Sequence, residues 1–156
     1  MKRRTVLKGA SLALLGSVMT PMLAHADRKP QITVYKTPTC GCCHEWVAHL
    51  EANGFAVVAN DVPNTAPYRE RYGVPKELGS CHTGVIDGYA LEGHVPASEI
   101  KRLLAEKPQA RGLSVPGMPV GSPGMEVEGT RRDAFDVVLF GDGGRRSVYR
   151  HYDARP

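Results

Sequence analysis

Apolar residues in this chain fall into short runs with two different spacings, separated by turn signals. Ile32-Thr33-Val34-Tyr35 is a β-branched and aromatic run that predicts a short buried strand. Trp46, Val47 and Leu50 then recur at helical spacing, and Asn53-Gly54 supplies a helix stop. Residues 55–59 predict a second strand. Asn64 or Thr65 can cap a short helix running through Tyr72, which Gly73-Val74-Pro75 ends. Residues 83–86 and 89–92 predict two strands joined by Asp87-Gly88, a dipeptide favoured in two-residue hairpins. Pro96 suits the start of a third helix, with Ile100, Leu103 and Leu104 on its buried face and Pro108 as its stop.

The predicted order through residue 107 is therefore β-α-β-α-β-β-α, an α/β pattern. Composition then shifts. Between 108 and 132 lie Pro108, Gly112, Pro116, Gly117, Pro119, Gly121, Pro123, Gly124 and Gly129, a density of breakers that predicts a long loop without helix or strand. Loops of that length inside a domain are usually functional or disordered. Residues 135–140 and 146–152 predict a terminal β-hairpin around Gly141-Asp142-Gly143-Gly144.

The first 26 residues read as a cleavable export signal. Lys2-Arg3-Arg4 is a basic start, residues 9–23 are small, apolar and uncharged, and Ala24-His25-Ala26 fits the cleavage pattern, so the mature chain starts at Asp27. Arg3-Arg4-Thr5-Val6-Leu7-Lys8 is similar to a twin-arginine signal; an ordinary secretory signal with two chance arginines is the other reading. Pro21 interrupts the apolar run, which is shorter than the ~20 residues a spanning helix needs, so no stable membrane anchor is expected after cleavage. The signal also carries the excess charge. Removing its four basic residues from 20 Lys and Arg leaves 16 against 16 Asp and Glu, so the mature chain is neutral. A nucleic-acid partner loses its electrostatic argument. Export places the protein in the periplasm, where disulfides are permitted.

Chemistry concentrates in Cys40-Gly41-Cys42-Cys43, between the first strand and the first helix. A Cys-x-x-Cys there is how thioredoxin-like folds present a reactive dithiol. Cys40, at the helix edge, would be the attacking thiol and Cys43, one turn on, the resolving one. Cys42 has no role in that scheme, and a third sulfur suits a soft metal: Cu(I), zinc or an iron–sulfur centre. Ser80-Cys81-His82-Thr83 precedes the third strand, where thioredoxin-like folds carry a cis-proline loop against the dithiol; His82 takes that place here. Folding should then gather up to four thiolates and one imidazole. Cys81 has further readings, as a small buried hydrophobe or a disulfide partner of Cys42. Met118 and Met125, each in a breaker-rich turn, are either soft thioether donors for Cu(I) or core fillers. His44 could reach the cluster from the first helical turn. His49 and His94 read as surface or structural, and His151 has no visible partner. Glu45, Glu51, Glu92 and Glu99 read as solvated, with no pair set for acid–base work.

Taken together, residues 35–43, Ser80-Cys81-His82-Thr83, Glu92-Gly93-His94-Val95-Pro96 and the segment from Gly117-Met118-Pro119 to Gly124-Met125 resemble the CopG-like family of exported copper-resistance proteins. The first stretch alone is similar to glutaredoxin, from which the third cysteine and the missing proline depart. The family resemblance covers the mature chain. It implies a periplasmic thioredoxin-like domain over 27–107, with 108–156 as a loop and β-hairpin packed on the same domain. It further implies Cu(I) on Cys40, Cys42, Cys43 and Cys81 with imidazole help, and redox handling of copper. His82, Met118 and Met125 complete the candidate ligand set, and other periplasmic copper-handling proteins are the candidate partners. Zinc competes on ligand type alone. Two other functions remain open: a thiol–disulfide oxidoreductase using Cys40 and Cys43 as catalytic residues, and a structural module with two disulfides.

Overall fold

The computed structural model describes residues 28–156, so the expected signal at 1–26 lies outside the described residues. Seven strands form one mixed sheet in the order β2-β1-β3-β4-β5-β6-β7. The elements are β1 (Gln31–Lys36), α1 (Gly41–Ala52), β2 (Ala56–Asp61), α2 (Ala66–Arg71), β3 (Thr83–Ile86), β4 (Tyr89–Glu92), α3 (Ala97–Glu106), β5 (Gly112–Ser114), β6 (Phe135–Phe140) and β7 (Arg146–Tyr152). β1 pairs parallel with β2 and antiparallel with β3, and β4 pairs parallel with β5. Among the described residues no helix is long and apolar enough to cross a membrane.

Alternation decides which side chains of β1 go inside: Ile32, Val34 and Lys36 are buried while their neighbours are not. On α1, Cys43, Trp46 and Leu50 make the buried stripe, and the chain leaves the helix through Gly54 at φ +91°. Trp46 and Leu50 share one core cluster with Ile32, Val34, Leu91, Leu113 and the α3 residues Ile100 and Leu103. Ala90, adjacent to Leu91 in β4, belongs instead to a second cluster with Val74, Leu78 and Phe140, so the sheet is covered on both faces. Asp87 and Gly88 both adopt positive φ (47° and 83°), as a tight two-residue hairpin requires.

One expectation is corrected here. Residues 108–132 are not free of regular structure, because β5 lies within them and joins β4 to β6. Its Gly112 is read by propensity as a breaker, yet tertiary contact requires it: a Cβ there would sit 1.9 Å from the Ala90 carbonyl oxygen. The rest of the segment returns over the first turn of α1. Gly124 approaches so closely that a Cβ would lie 2.6 Å from Trp46 N.

α3 begins without a side-chain cap of its own; instead the Ala97 N–H donates to His49 Nε2 of α1 at 3.1 Å. Burial lowers the His49 pKa from its ordinary 6.5, against a smaller opposing pull from Glu126. The unfolded chain therefore takes up that proton more readily than the folded one, and the His49 contribution is present above pH 6.5 and lost as pH falls below it. His49→Ala is expected to cost about 1 kcal/mol at neutral pH, in line with loss of a helix cap, and progressively less towards pH 5. Urea melts of both proteins across that range measure the difference.

Candidate metal centre

The cysteine cluster is built where β1 hands over to α1. Cys40 precedes the first helical residue with extended backbone (φ −78°, ψ 93°), and its carbonyl accepts the first helical bond, from His44 N–H. Gly41 then places Cys42 and Cys43 in the opening turn, with Cys43 fully buried. Cys40 and Cys43 form a disulfide, whereas Cys42 and Cys81 are free. Cys42 Sγ lies 3.5 Å from Cys40 Sγ and 4.0 Å from Cys81 Sγ. Two groups of donor atoms result, each with all members within 4.8 Å of one another: Cys40, Cys42, Cys43 and Cys81, and Cys81, His82 and His94. Cys81 belongs to both.

Both imidazoles are buried, and each has one nitrogen committed to a backbone carbonyl. His82 Nε2–H donates to Gly93 O (2.9 Å), which leaves Nδ1 unprotonated and 3.3 Å from both Cys43 Sγ and Cys81 Sγ. His94 Nδ1–H donates to Pro123 O (2.8 Å), leaving Nε2 as the free lone pair, 3.3 Å from Cys81 Sγ. Carbonyls that fix the tautomer in this way orient imidazoles toward a metal. Burial, and then the neighbouring His94, pushes the His82 pKa down to about 3. Burial also lowers that of His94. Both rings are thus neutral and competent to donate at physiological pH. The Cys81 thiol is pushed up to about 12, first by burial and then by the adjacent Cys42, so a metal arriving there must displace its proton. Trp46 closes the floor, its ring 4.2 Å from that of His82 and its indole N–H donating to Val95 O.

The structure thus brings Cys40, Cys42, Cys43, Cys81 and His82 together. The methionine loop lies beside them: the Gly117 carbonyl accepts a bond from Ser80 Oγ, Met118 is 54% exposed, and Met125 follows the Gly124 that contacts α1. Exposure of that extent is inconsistent with Met118 as a core filler. His44 turns away, with Nε2 accepting from the buried Lys36 Nζ at 2.8 Å. Three expectations are corrected. His94, read as surface or structural, is not at the surface but fully buried, with Nε2 toward Cys81. Glu92 is not solvated but fully buried, and Glu99 nearly so. His151 is not alone; Asp136 Oδ1 lies 2.6 Å from its Nδ1.

Residues 78–125, which contain Cys81, His82, His94 and both loop methionines, match a family described as "Protein of unknown function, DUF411". No curated protein sequence matches the chain. Two solved structures do, described as "Copper resistance protein copG", forms 1 and 2. Each is 47% identical with a TM-score of 0.76, and the alignments cover 80% and 81% of this chain and 99% of theirs. With 47% identity over about four fifths of this chain and nearly the whole length of those relatives, the chain belongs to the family of the copper resistance protein copG.

Proposed function

We propose that this is an exported, periplasmic protein that binds copper as Cu(I) on Cys40, Cys42, Cys43 and Cys81, with imidazole donation from His82 and His94, and so contributes to copper resistance. The observation that carries the reading is the convergence of four sulfurs and two correctly oriented imidazole lone pairs from separate loops. Thiolates are soft donors that bridge metal ions readily, so four of them can hold more than one Cu(I). Met118 and Met125, in the loop bonded to Ser80 through Gly117, would add soft thioether donors. Zinc shares the ligand types but gains nothing from thioethers. The strand order β2-β1-β3-β4, with the dithiol at the β1–α1 junction, supports a thioredoxin-like core to which β5, β6 and β7 are added.

A second reading, thiol–disulfide exchange by Cys40 and Cys43, is favoured by the disulfide between them at a helix N-terminus. Anaerobic Cu(I) titration of the reduced protein separates the two. The Cys42→Ser, Cys81→Ser double variant is expected to lose most of its copper capacity while retaining the Cys40–Cys43 couple. A variant that binds as much copper as wild type would exclude the thiolate cluster.

A further inference from the structure

A carboxylate withdrawn from water is costly unless its oxygens are satisfied. Glu92, at the end of β4, is fully buried and is satisfied on both sides. Its Oε1 accepts from Arg69 Nε of α2 (2.7 Å) and from the Ser80 N–H (2.6 Å), and its Oε2 accepts from Thr83 Oγ1 (2.6 Å). Arg69 donates a second time, from Nη2 to the Ser80 carbonyl (2.5 Å). The Ser80 hydroxyl donates to the Gly117 carbonyl, in the turn that carries Met118. Every polar group of Ser80 is therefore engaged, and the next residue is the sulfur shared by both donor groups. Gly93 seals the contact from below, since a Cβ there would lie 2.7 Å from Ser80 Cβ.

We propose that Arg69 and Glu92 are positioning residues of the metal centre: their ion pair clamps Ser80, and through it fixes both Cys81 and the methionine turn against the cysteines of α1. Buried ion pairs are poor net stabilisers compared with apolar residues of similar volume, and their best-attested use is to specify one arrangement among several. Here the arrangement specified is the approach of two loops that carry donors but have little regular structure of their own. The inference rests on the copper-binding reading above.

Arg69→Lys tests it. Lysine keeps the charge opposite Glu92, but a single ammonium cannot reproduce the fork that holds Glu92 and the Ser80 carbonyl together. Cu(I) affinity, measured anaerobically by competition with a chromogenic chelator, is expected to fall about 10–100-fold, the usual cost of removing a group that orients a ligand. The same substitution made in a Cys81→Ser background is expected to cause a much smaller further loss, the share carried by the methionine turn, because the sulfur it chiefly positions is already gone. Thr83→Val, which removes only the bond to Glu92 Oε2, should show the same non-additive pattern with a smaller loss, and it carries the test if the lysine variant does not fold. Wild-type affinity in Arg69→Lys, or an equal loss with and without Cys81, overturns the clamp. If wild-type protein takes up no Cu(I), or Cys81→Ser takes it up as tightly as wild type, the copper reading falls and the clamp with it. If copper binding depends on Cys81 and only the Arg69 result fails, the clamp alone is wrong.

Discussion

Cys81→Ser should weaken Cu(I) binding more than replacement of any other single cysteine, by well over the ~100-fold upper range for removal of an orienting group. Its Sγ lies 4.0 Å from Cys42 and 3.3 Å from nitrogens of both His82 and His94. Losing this sulfur therefore breaks the four-sulfur group and the sulfur–imidazole group at once. Serine replaces a soft thiolate with a hard oxygen that Cu(I) does not favour. The fold should tolerate the change, because Cys81 is partly exposed and makes no disulfide. Competition titrations of the four single Cys→Ser variants give the ranking, and a Cys42→Ser loss equal to or greater than that of Cys81→Ser would remove Cys81 from the centre of the site.

Opening the Cys40–Cys43 disulfide should have the second largest effect. With the bond intact, two of the four sulfurs cannot act as thiolates, and of the cysteine and histidine donors only Cys42, Cys81 and the two imidazoles remain. Oxidised protein is accordingly expected to hold no more than about half the thiolate-bound Cu(I) of reduced protein, with capacity restored by reduction and removal of the reductant. Parallel anaerobic titrations, with metal content determined after desalting, measure the difference. Equal capacity in the two states would show that Cys40 and Cys43 are not ligands.

Much of this arrangement could be read from local pattern, and what escaped did so for identifiable reasons. The Asp87-Gly88 turn fixed the β3–β4 hairpin to the residue, since both positions take the positive φ that those residue types tolerate. That hairpin pairs Thr83 with Glu92. Extending the same register backwards sets position 81 opposite 94, so the partnership of His94 with Cys81 was implicit in the turn, although His94 considered singly reads as surface or structural. Glu92 was misread because residue type suggests solvent, and only the tertiary approach of Arg69 makes its burial tolerable. β5 was missed because Gly112 is a breaker by propensity; its fitness for a strand comes from the Ala90 carbonyl of the neighbouring strand, a contact across sequence that no local window contains.

Trp46 is the only tryptophan in the chain, and its indole lies against the His82 ring, itself in contact with two of the sulfurs. The protein consequently carries its own optical probe. Ultraviolet emission from this one chromophore is expected to change when those sulfurs are oxidised or take up a metal, with no label attached and no other indole to dilute the signal.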